Sequence, residues 1–171
     1  LLDYAATCRD FSRDMVRAAL AGLPGCALNI AHEAVVRHAE GASGERIAFR
    51  FVGRARQRDM SYRELAVQTA RFANVLAALG VRRGERVFVL SGRIPELYVA
   101  VLGGLRAGCV VSPLFSAFGP EPVATRVNLG RGAVLVTTES LYRRKVAPVR
   151  EQLATLRHVL LVRDEEEGEE S

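Results

Sequence analysis

The stretch VFVLSGRIPELYVAVLGGLRAGCVVSP (87–113) decides the fold. It begins with a short apolar run, Val87–Leu90, and closes with a second run, Cys109–Val111. A helical pattern separates them and starts at Pro95, where the missing N–H of proline costs nothing. Continuous apolar runs of this length, separated by a helix, predict parallel strands buried on both faces. We expect Pro113 to end the second strand, because proline cannot donate to a strand ladder.

The same alternation continues downstream. A helix is predicted over 121–129, a strand over 133–136, a helical stretch over 141–153 that Pro148 interrupts, and a strand over 159–162. Four apolar strands separated by helices are typical of one architecture. The sequence therefore predicts an α/β fold of three layers, with a mostly parallel sheet covered by helices on both faces.

Upstream, the clearest local signal is Ser61-Tyr62-Arg63-Glu64, which has the form of a helix-capping box. A long amphipathic helix follows and is expected to end at Gly80. Before it, 47–52 reads as a strand, with Met60 pairing back on a second strand. Residues 11–40 predict two short helices, capped by Ser12 and Asn29.

Three segments are expected. Residues 1–28 form an N-terminal helical extension, and residues 29–163 form one α/β unit. Residues 164–171 (DEEEGEES) read as an acidic linker or disordered tail, because the segment has no apolar residue to bury. The chain opens on Leu1 rather than Met and lacks signal-peptide features, so we expect a piece of a longer cytoplasmic protein.

Composition argues against several classes of function. No apolar stretch approaches the roughly 20 residues that span a bilayer. The net charge is +5, but the arginines are scattered rather than massed, which does not favour nucleic-acid binding. The three cysteines form no CxxC pair and the three histidines do not cluster, so no metal or redox site is predicted. GxGxxG, GxxxxGK[ST] and GxSxG motifs are absent from the sequence.

Two segments that follow predicted strands are candidates for binding. The first, PLFSAFGPE (113–121), is apolar and aromatic although it should lie near the surface. Phe115 and Phe118 could simply pack under the next helix. The second is YRRK (142–145), whose three adjacent cations could form a solvated helix face. They could equally bind a phosphate-rich ligand, since guanidinium and ammonium donors match phosphate oxygens.

An ordered series of segments between about Leu23 and Val162 resembles the N-terminal region of AMP-forming acetyl-CoA synthetases, within the superfamily of acyl-adenylate-forming ligases. The segments include LNIAHEAVVRHA (28–39), RFANVLAALGVRRGERVFV (71–89), RIPELYVAVLGGLRAG (93–108), PLFSAFGPEPVATRV (113–127) and LVTTESLYRRKV (135–146).

The resemblance implies a two-step ligase. Acetate attacks ATP to give an acetyl-adenylate, and coenzyme A (CoA) then displaces AMP. In the family the adenylation motifs lie downstream of this region, so ATP, Mg²⁺ and acetate are expected in the full-length parent. We expect no cofactor requirement, catalytic residue or activity in this chain alone. Its partners would be CoA and the rest of the ligase chain.

Candidate binding residues follow from the same resemblance. It implies that Phe115, Ser116 and Ala117 lie against the CoA nucleotide, and that Arg143, Arg144 and Lys145 contact its phosphates. The family loop is commonly glycine-rich where this chain has Ser116 and Ala117. Two alternatives stay open: a self-sufficient α/β module that binds CoA or an adenine nucleotide, and a structural interaction domain.

Overall fold

The bounds of helices and strands come from a computed structural model that describes residues 3–24, 27–53 and 57–164. Residues 165–171 of the predicted tail therefore lie outside the described residues. The strands are β1 (Ile47–Val52), β2 (Gln57–Ser61), β3 (Arg86–Leu90), β4 (Val110–Leu114), β5 (Val134–Thr138) and β6 (His158–Val162). The α-helices are α1 (Tyr4–Asp10), α2 (Arg13–Ala19), α3 (Arg37–Glu40), α4 (Tyr62–Ala78), α5 (Pro95–Arg106), α6 (Pro120–Leu129) and α7 (Glu139–Leu141).

The central sheet has four parallel strands in the order β4-β3-β5-β6. Its two faces carry different side chains of β3. Phe88 and Leu90 pack with residues of α6 in one cluster, and Val87 and Val89 pack with residues of α4 and α5 in another. The predicted three-layer architecture is confirmed. The crossover helices α5 and α6 thus lie on opposite faces of the sheet. The first crossover leads to β4 and the second to β5, and β3 lies between these two strands.

The prediction that Pro113 ends its strand is wrong. Strand β4 continues to Leu114, and Pro113 lies opposite Val89 in the parallel register. The physical reason is the position of β4 at the edge of the described sheet. An edge strand can include a proline, because the N–H that proline lacks is needed only where a second neighbour accepts it.

An antiparallel hairpin of β1 and β2 precedes the long helix α4. The hydroxyl of Ser61 accepts from the amide of Glu64 at 3.1 Å, as the capping pattern predicts. The carboxylate of Glu64 accepts from Arg58 at 2.9 Å, so it pairs with the hairpin instead of closing the reciprocal half of the box. The helix ends where Gly80 takes φ +71°, a conformation that suits glycine.

The N-terminal segment contains the two short helices α1 and α2, and neither contains a buried residue. Its attachment is polar. The carboxylate of Glu33 accepts from the amides of Ala21 and Gly22 at 3.1 and 2.7 Å, and from Arg37 at 2.8 Å. The proposed boundary between this segment and the α/β unit stays a prediction. No helix in the described part of the chain is both long and apolar enough to cross a membrane.

The helical stretch after β5 is more irregular than the predicted helix over 141–153. It starts as α7, continues as a π-helical turn over Tyr142–Val146, and becomes a 3₁₀ helix over Ala147–Gln152. Pro148 lies in the first turn of that last part, where it removes no helical bond. Val146 and Val149 are buried against α6, which fixes the side of the stretch that faces solvent.

Candidate functional site

Two segments at the carboxyl end of the sheet hold all six predicted binding residues. One is the loop that follows β4 and the other is the helical stretch that follows β5, and both of these strands pair with β3. Strands in a sheet lie about 4.8 Å apart, so the two segments start within roughly 10 Å of each other. Ligands of open parallel sheets bind outside this edge.

The loop after β4 is a tight turn that presents one aromatic ring to solvent. The amide of Phe118 donates to the carbonyl of Phe115 at 3.0 Å and closes the turn. The Phe115 side chain is 65% exposed, Ser116 is half-buried and Ala117 is exposed. Of the two phenylalanines, therefore, Phe118 packs against the core as the simpler interpretation expects, and Phe115 does not.

The exposed ring packs against a second aromatic ring. Phe115 meets Phe118 edge to face, with ring centroids 5.7 Å apart and planes at 89°. The guanidinium of Arg126 lies 4.1 Å from the centroid of Phe118. Edge-to-face aromatic pairs and cation–π contacts are each worth roughly 0.5–1.5 kcal/mol. Phe115 therefore offers an exposed flat surface of the kind on which a nucleobase stacks.

The three cations after β5 do not share one environment. Arg143 is exposed and lies 3.7 Å from the carboxylate of Glu139, one helical turn earlier. Arg144 is exposed and its Nε donates to the carbonyl of Ser140 at 3.3 Å. Lys145 is half-buried, and its ammonium donates to the carbonyl of Ser116 at 2.5 Å.

The bond between Lys145 and Ser116 joins the turn after β4 to the helical stretch after β5. It connects residues 29 apart in the sequence and brings the aromatic turn beside the cationic stretch. Of the six predicted residues, Lys145 and Ser116 are in contact, and Arg143, Arg144 and Phe115 are exposed. Their role in binding CoA stays a prediction.

A carboxylate that the sequence analysis did not place here contacts the start of the helical stretch after β5. Asp164 accepts from the amide of Ser140 at 2.7 Å and from its hydroxyl at 3.0 Å. The hydroxyl of Thr138 lies 3.3 Å from that of Ser140 and accepts from the amide of Leu141. Partial burial opposes ionisation of Asp164, but the bonds from Ser140 and Thr138 hold its pKa below the usual value.

Sequence reasoning could have found part of this arrangement. Thr138 precedes the helical stretch by one residue, which is the usual place for a capping threonine. Nothing in the sequence pairs Asp164 with Ser140, because the two residues come from different strand ends. Glu96 and Glu121 lie in the first turns of α5 and α6, where the helix dipole favours an acid.

The site has no cluster suited to a metal ion. Within 3–24, 27–53 and 57–164, no group of three or more His, Cys, Asp or Glu side chains could hold one. The exposed guanidinium groups of Arg143 and Arg144 and the exposed ring of Phe115 fit a different kind of ligand. Phosphate groups and a planar base are the chemical features that they match.

Comparison with known proteins identifies the family. The profile described as AMP-binding enzyme matches residues 35–171. An acetyl-coenzyme A synthetase of Bacillus subtilis (strain 168) is 37% identical over 142 residues, which are 82% of this chain and 24% of that protein. The protein of the same name from Streptomyces coelicolor is 34% identical over 145 residues, covering 80% of this chain and 22% of its own length. This chain therefore spans about a quarter of the length of these relatives.

Solved structures agree. The crystal structure of a Brucella canis acyl-CoA synthetase superposes with a TM-score of 0.79 at 27% identity, covering 98% of this chain and 30% of that one. An anthranilate CoA ligase in complex with anthranoyl-AMP shares the fold, with a TM-score of 0.70 at 20% identity over 79% of this chain and 25% of its own. The chain, with its four-stranded parallel sheet, belongs to the AMP-binding enzyme family.

Proposed function

We propose that this chain is the N-terminal part of an acetyl-CoA synthetase and supplies part of the surface that binds CoA. The parent reaction converts acetate, ATP and CoA into acetyl-CoA, AMP and pyrophosphate through acetyl-adenylate. Identity of 34–37% to acetyl-coenzyme A synthetases supports this assignment. The adenylation of acetate is assigned to other parts of the ligase, so the chain by itself is not expected to catalyse the reaction.

One observation carries the proposal for CoA. The Lys145 ammonium donates to the Ser116 carbonyl and so joins the loop after β4 to the helical stretch after β5, the two segments that the family resemblance connects with this ligand. With Lys145 engaged in that bond, the exposed Arg143 and Arg144 are the cations available to phosphate groups. Phe115 would stack against the adenine, and Ser116 and Ala117 would form the backbone surface between the ring and the cations.

Exposed apolar side chains are consistent with a chain that is one part of a larger ligase. Leu129 is 81% exposed at the end of α6, Ile30 is 66% exposed, and Leu161 on the edge strand β6 is 50% exposed. Large exposed apolar side chains often mark surfaces that another part of a protein covers. We assign the remaining chain of the ligase to that role.

Isothermal titration of the chain with CoA tests the proposal. An Arg143→Ala, Arg144→Ala double variant should raise the Kd for CoA by tenfold or more, since bonds between charged groups contribute about 1.5–3 kcal/mol each. The matched control is Arg9→Ala, Arg17→Ala, which removes two exposed arginines of α1 and α2 and lowers the net charge equally.

The control variant should bind CoA with an affinity close to that of the unmodified chain. Equal weakening by both double variants would mean that net charge alone governs binding, and the proposed surface would be wrong. No binding of CoA by the unmodified chain at millimolar ligand would contradict the proposed function as a whole.

A further inference from the structure

Arg144 is connected to Asp164 through a single residue, Ser140. The carbonyl of Ser140 accepts from the Nε of Arg144 at 3.3 Å. The amide and the hydroxyl of the same serine both donate to Asp164, at 2.7 and 3.0 Å. Every polar group of Ser140 is therefore engaged either by the arginine or by the aspartate.

This arrangement joins two strand ends. Ser140 follows β5 and Asp164 follows β6, and the two strands pair along their whole length from Val134–His158 to Thr138–Val162. The carboxylate thus ties the first turn of the cationic stretch to the end of the neighbouring strand. A charged acceptor that takes two donors forms stronger bonds than a neutral one.

We propose that Asp164 is a positioning residue for CoA binding, which holds Ser140 so that its carbonyl orients Arg144 toward the ligand phosphate. The inference rests on the proposed function, the binding of CoA by the loop after β4 and the helical stretch after β5. Asp164 does not contact the ligand in this scheme. Its negative charge near an anion site would by itself disfavour phosphate, so its presence there requires a compensating role.

Removal of the Asp164 charge and loss of its positioning of Arg144 should change the affinity for CoA in opposite directions, so the proposal can be tested. Removing an acid beside an anion site strengthens anion binding if charge alone matters. If the bonds to Ser140 position Arg144, removal weakens binding in spite of the favourable change in charge. Titration calorimetry with CoA on the chain and its variants distinguishes the two.

We expect Asp164→Ala to raise the Kd for CoA roughly three- to tenfold, less than the loss of a direct bond between charged groups, because Asp164 acts only through Ser140 and Arg144. The Kd of Asp164→Asn for CoA should lie between those of Asp164→Ala and the unmodified chain, because the amide oxygen of the asparagine can still accept from Ser140. The control is Asp59→Ala, which removes an exposed carboxylate that pairs with Arg50 on the β1–β2 hairpin.

A double-mutant cycle separates positioning from a general structural effect. In an Arg144→Ala background, Asp164→Ala should have less than a twofold further effect on the Kd, since the group that it positions is gone. Circular dichroism melting of each variant establishes that the fold is kept, and Asp164→Asn carries the comparison if the alanine variant does not fold.

The outcomes are distinct. Unchanged or tighter binding by Asp164→Ala overturns the inference and leaves the proposed function standing. A loss of affinity that persists undiminished in the Arg144→Ala background also overturns it, because Asp164 would then act through another route. Failure of the unmodified chain to bind CoA refutes the proposed function and the inference together.

Discussion

Thr69 and Thr137 are the two fully buried threonines, and they differ in hydrogen bonding. The hydroxyl of Thr69 donates to the carbonyl of Ala66 at 3.1 Å within α4. The hydroxyl of Thr137 has no partner among the described residues. An unpaired buried hydroxyl costs about 1–3 kcal/mol relative to an apolar group of the same shape.

We therefore expect Thr137→Val to raise the free energy of unfolding by about 1 kcal/mol, measured by urea denaturation. Valine has nearly the same shape and also favours strands. Thr69→Val serves as the matched control and should lower the free energy of unfolding by a similar amount, because it removes a satisfied bond. A destabilised Thr137→Val variant would show that its hydroxyl has a partner, such as bound water.

At the residue scale, the sequence allowed the solvent-facing members of the site to be predicted and not the bonds between them. Three adjacent cations after a predicted strand stand out in a sequence, so Arg143 and Arg144 could be singled out, whereas the pattern alone did not distinguish the exposed Phe115 from Phe118, which packs against the core. The contacts of Lys145 with Ser116 and of Asp164 with Ser140 depend on which strands are neighbours. That information arises only when the strand order is known.

Helices α4 and α5 approach closely at Gly103. A Cβ added there would lie 2.8 Å from Cδ1 of Phe72 and 3.0 Å from the backbone carbonyl of Thr69. A backbone atom cannot rotate away, so the two helices would have to separate. Overpacking of this kind costs about 1–3 kcal/mol, more than the roughly 1 kcal/mol that alanine gains over glycine in a helix.

Gly103→Ala should therefore lower the free energy of unfolding by up to about 2 kcal/mol, as determined by denaturant titration. For comparison, Gly92→Ala adds a Cβ that meets nothing within 4 Å and should change stability by less than about 0.5 kcal/mol. Equal effects of the two substitutions would mean that helix packing at Gly103 does not control the result.

Strands and helices were predictable because their signals are local. The caps at Ser12, Asn29 and Ser61 accept from helix amides as their sequence positions indicate. Pro113 was misinterpreted because its effect depends on whether β4 is an edge or a central strand, which its own sequence does not encode. The π-helical turn at Tyr142–Val146 was missed for a related reason, since its geometry depends on packing against α6.

On the scale of the whole molecule, one ion pair connects the start of β3 to the start of β6 across β5. Arg157 donates to both carboxylate oxygens of Glu85, at 2.7 and 2.9 Å. These bonds, with a further one from the amide of Arg82, lower the pKa of Glu85 to about 2 from a model-compound value of 4.5. A lowered pKa means that the folded state favours the carboxylate form.

Glu85 therefore stabilises the folded protein more at neutral pH than at low pH. The stability that Glu85 contributes is present above pH 4.5 and is lost as the pH falls from 4.5 toward 2, where the folded protein also takes up the proton. Glu85→Gln should lower the Tm at pH 7 by roughly 1–3 °C, a modest effect because water screens the exposed pair. The difference between the two proteins should shrink as the pH is lowered to 2.5 in thermal melts.

The control is Glu45→Gln, whose partner Arg63 lies in the first turn of α4, with 78% of the Glu45 side chain and 60% of the Arg63 side chain exposed. It should leave the Tm nearly unchanged at both pH values. A Tm difference for Glu85→Gln that stays constant from pH 7 to 2.5 would contradict the assignment.

The strand order β4-β3-β5-β6 has a consequence for biosynthesis. Strand β3 is complete at Leu90, but the neighbour that covers its second edge begins only at Val134. A ribosome adding about 5–20 residues per second takes roughly 2–9 s to make the intervening segment. During that interval the nascent chain presents an unpaired apolar edge, so chaperone contact with β3 is most useful while α6 is still emerging from the exit tunnel.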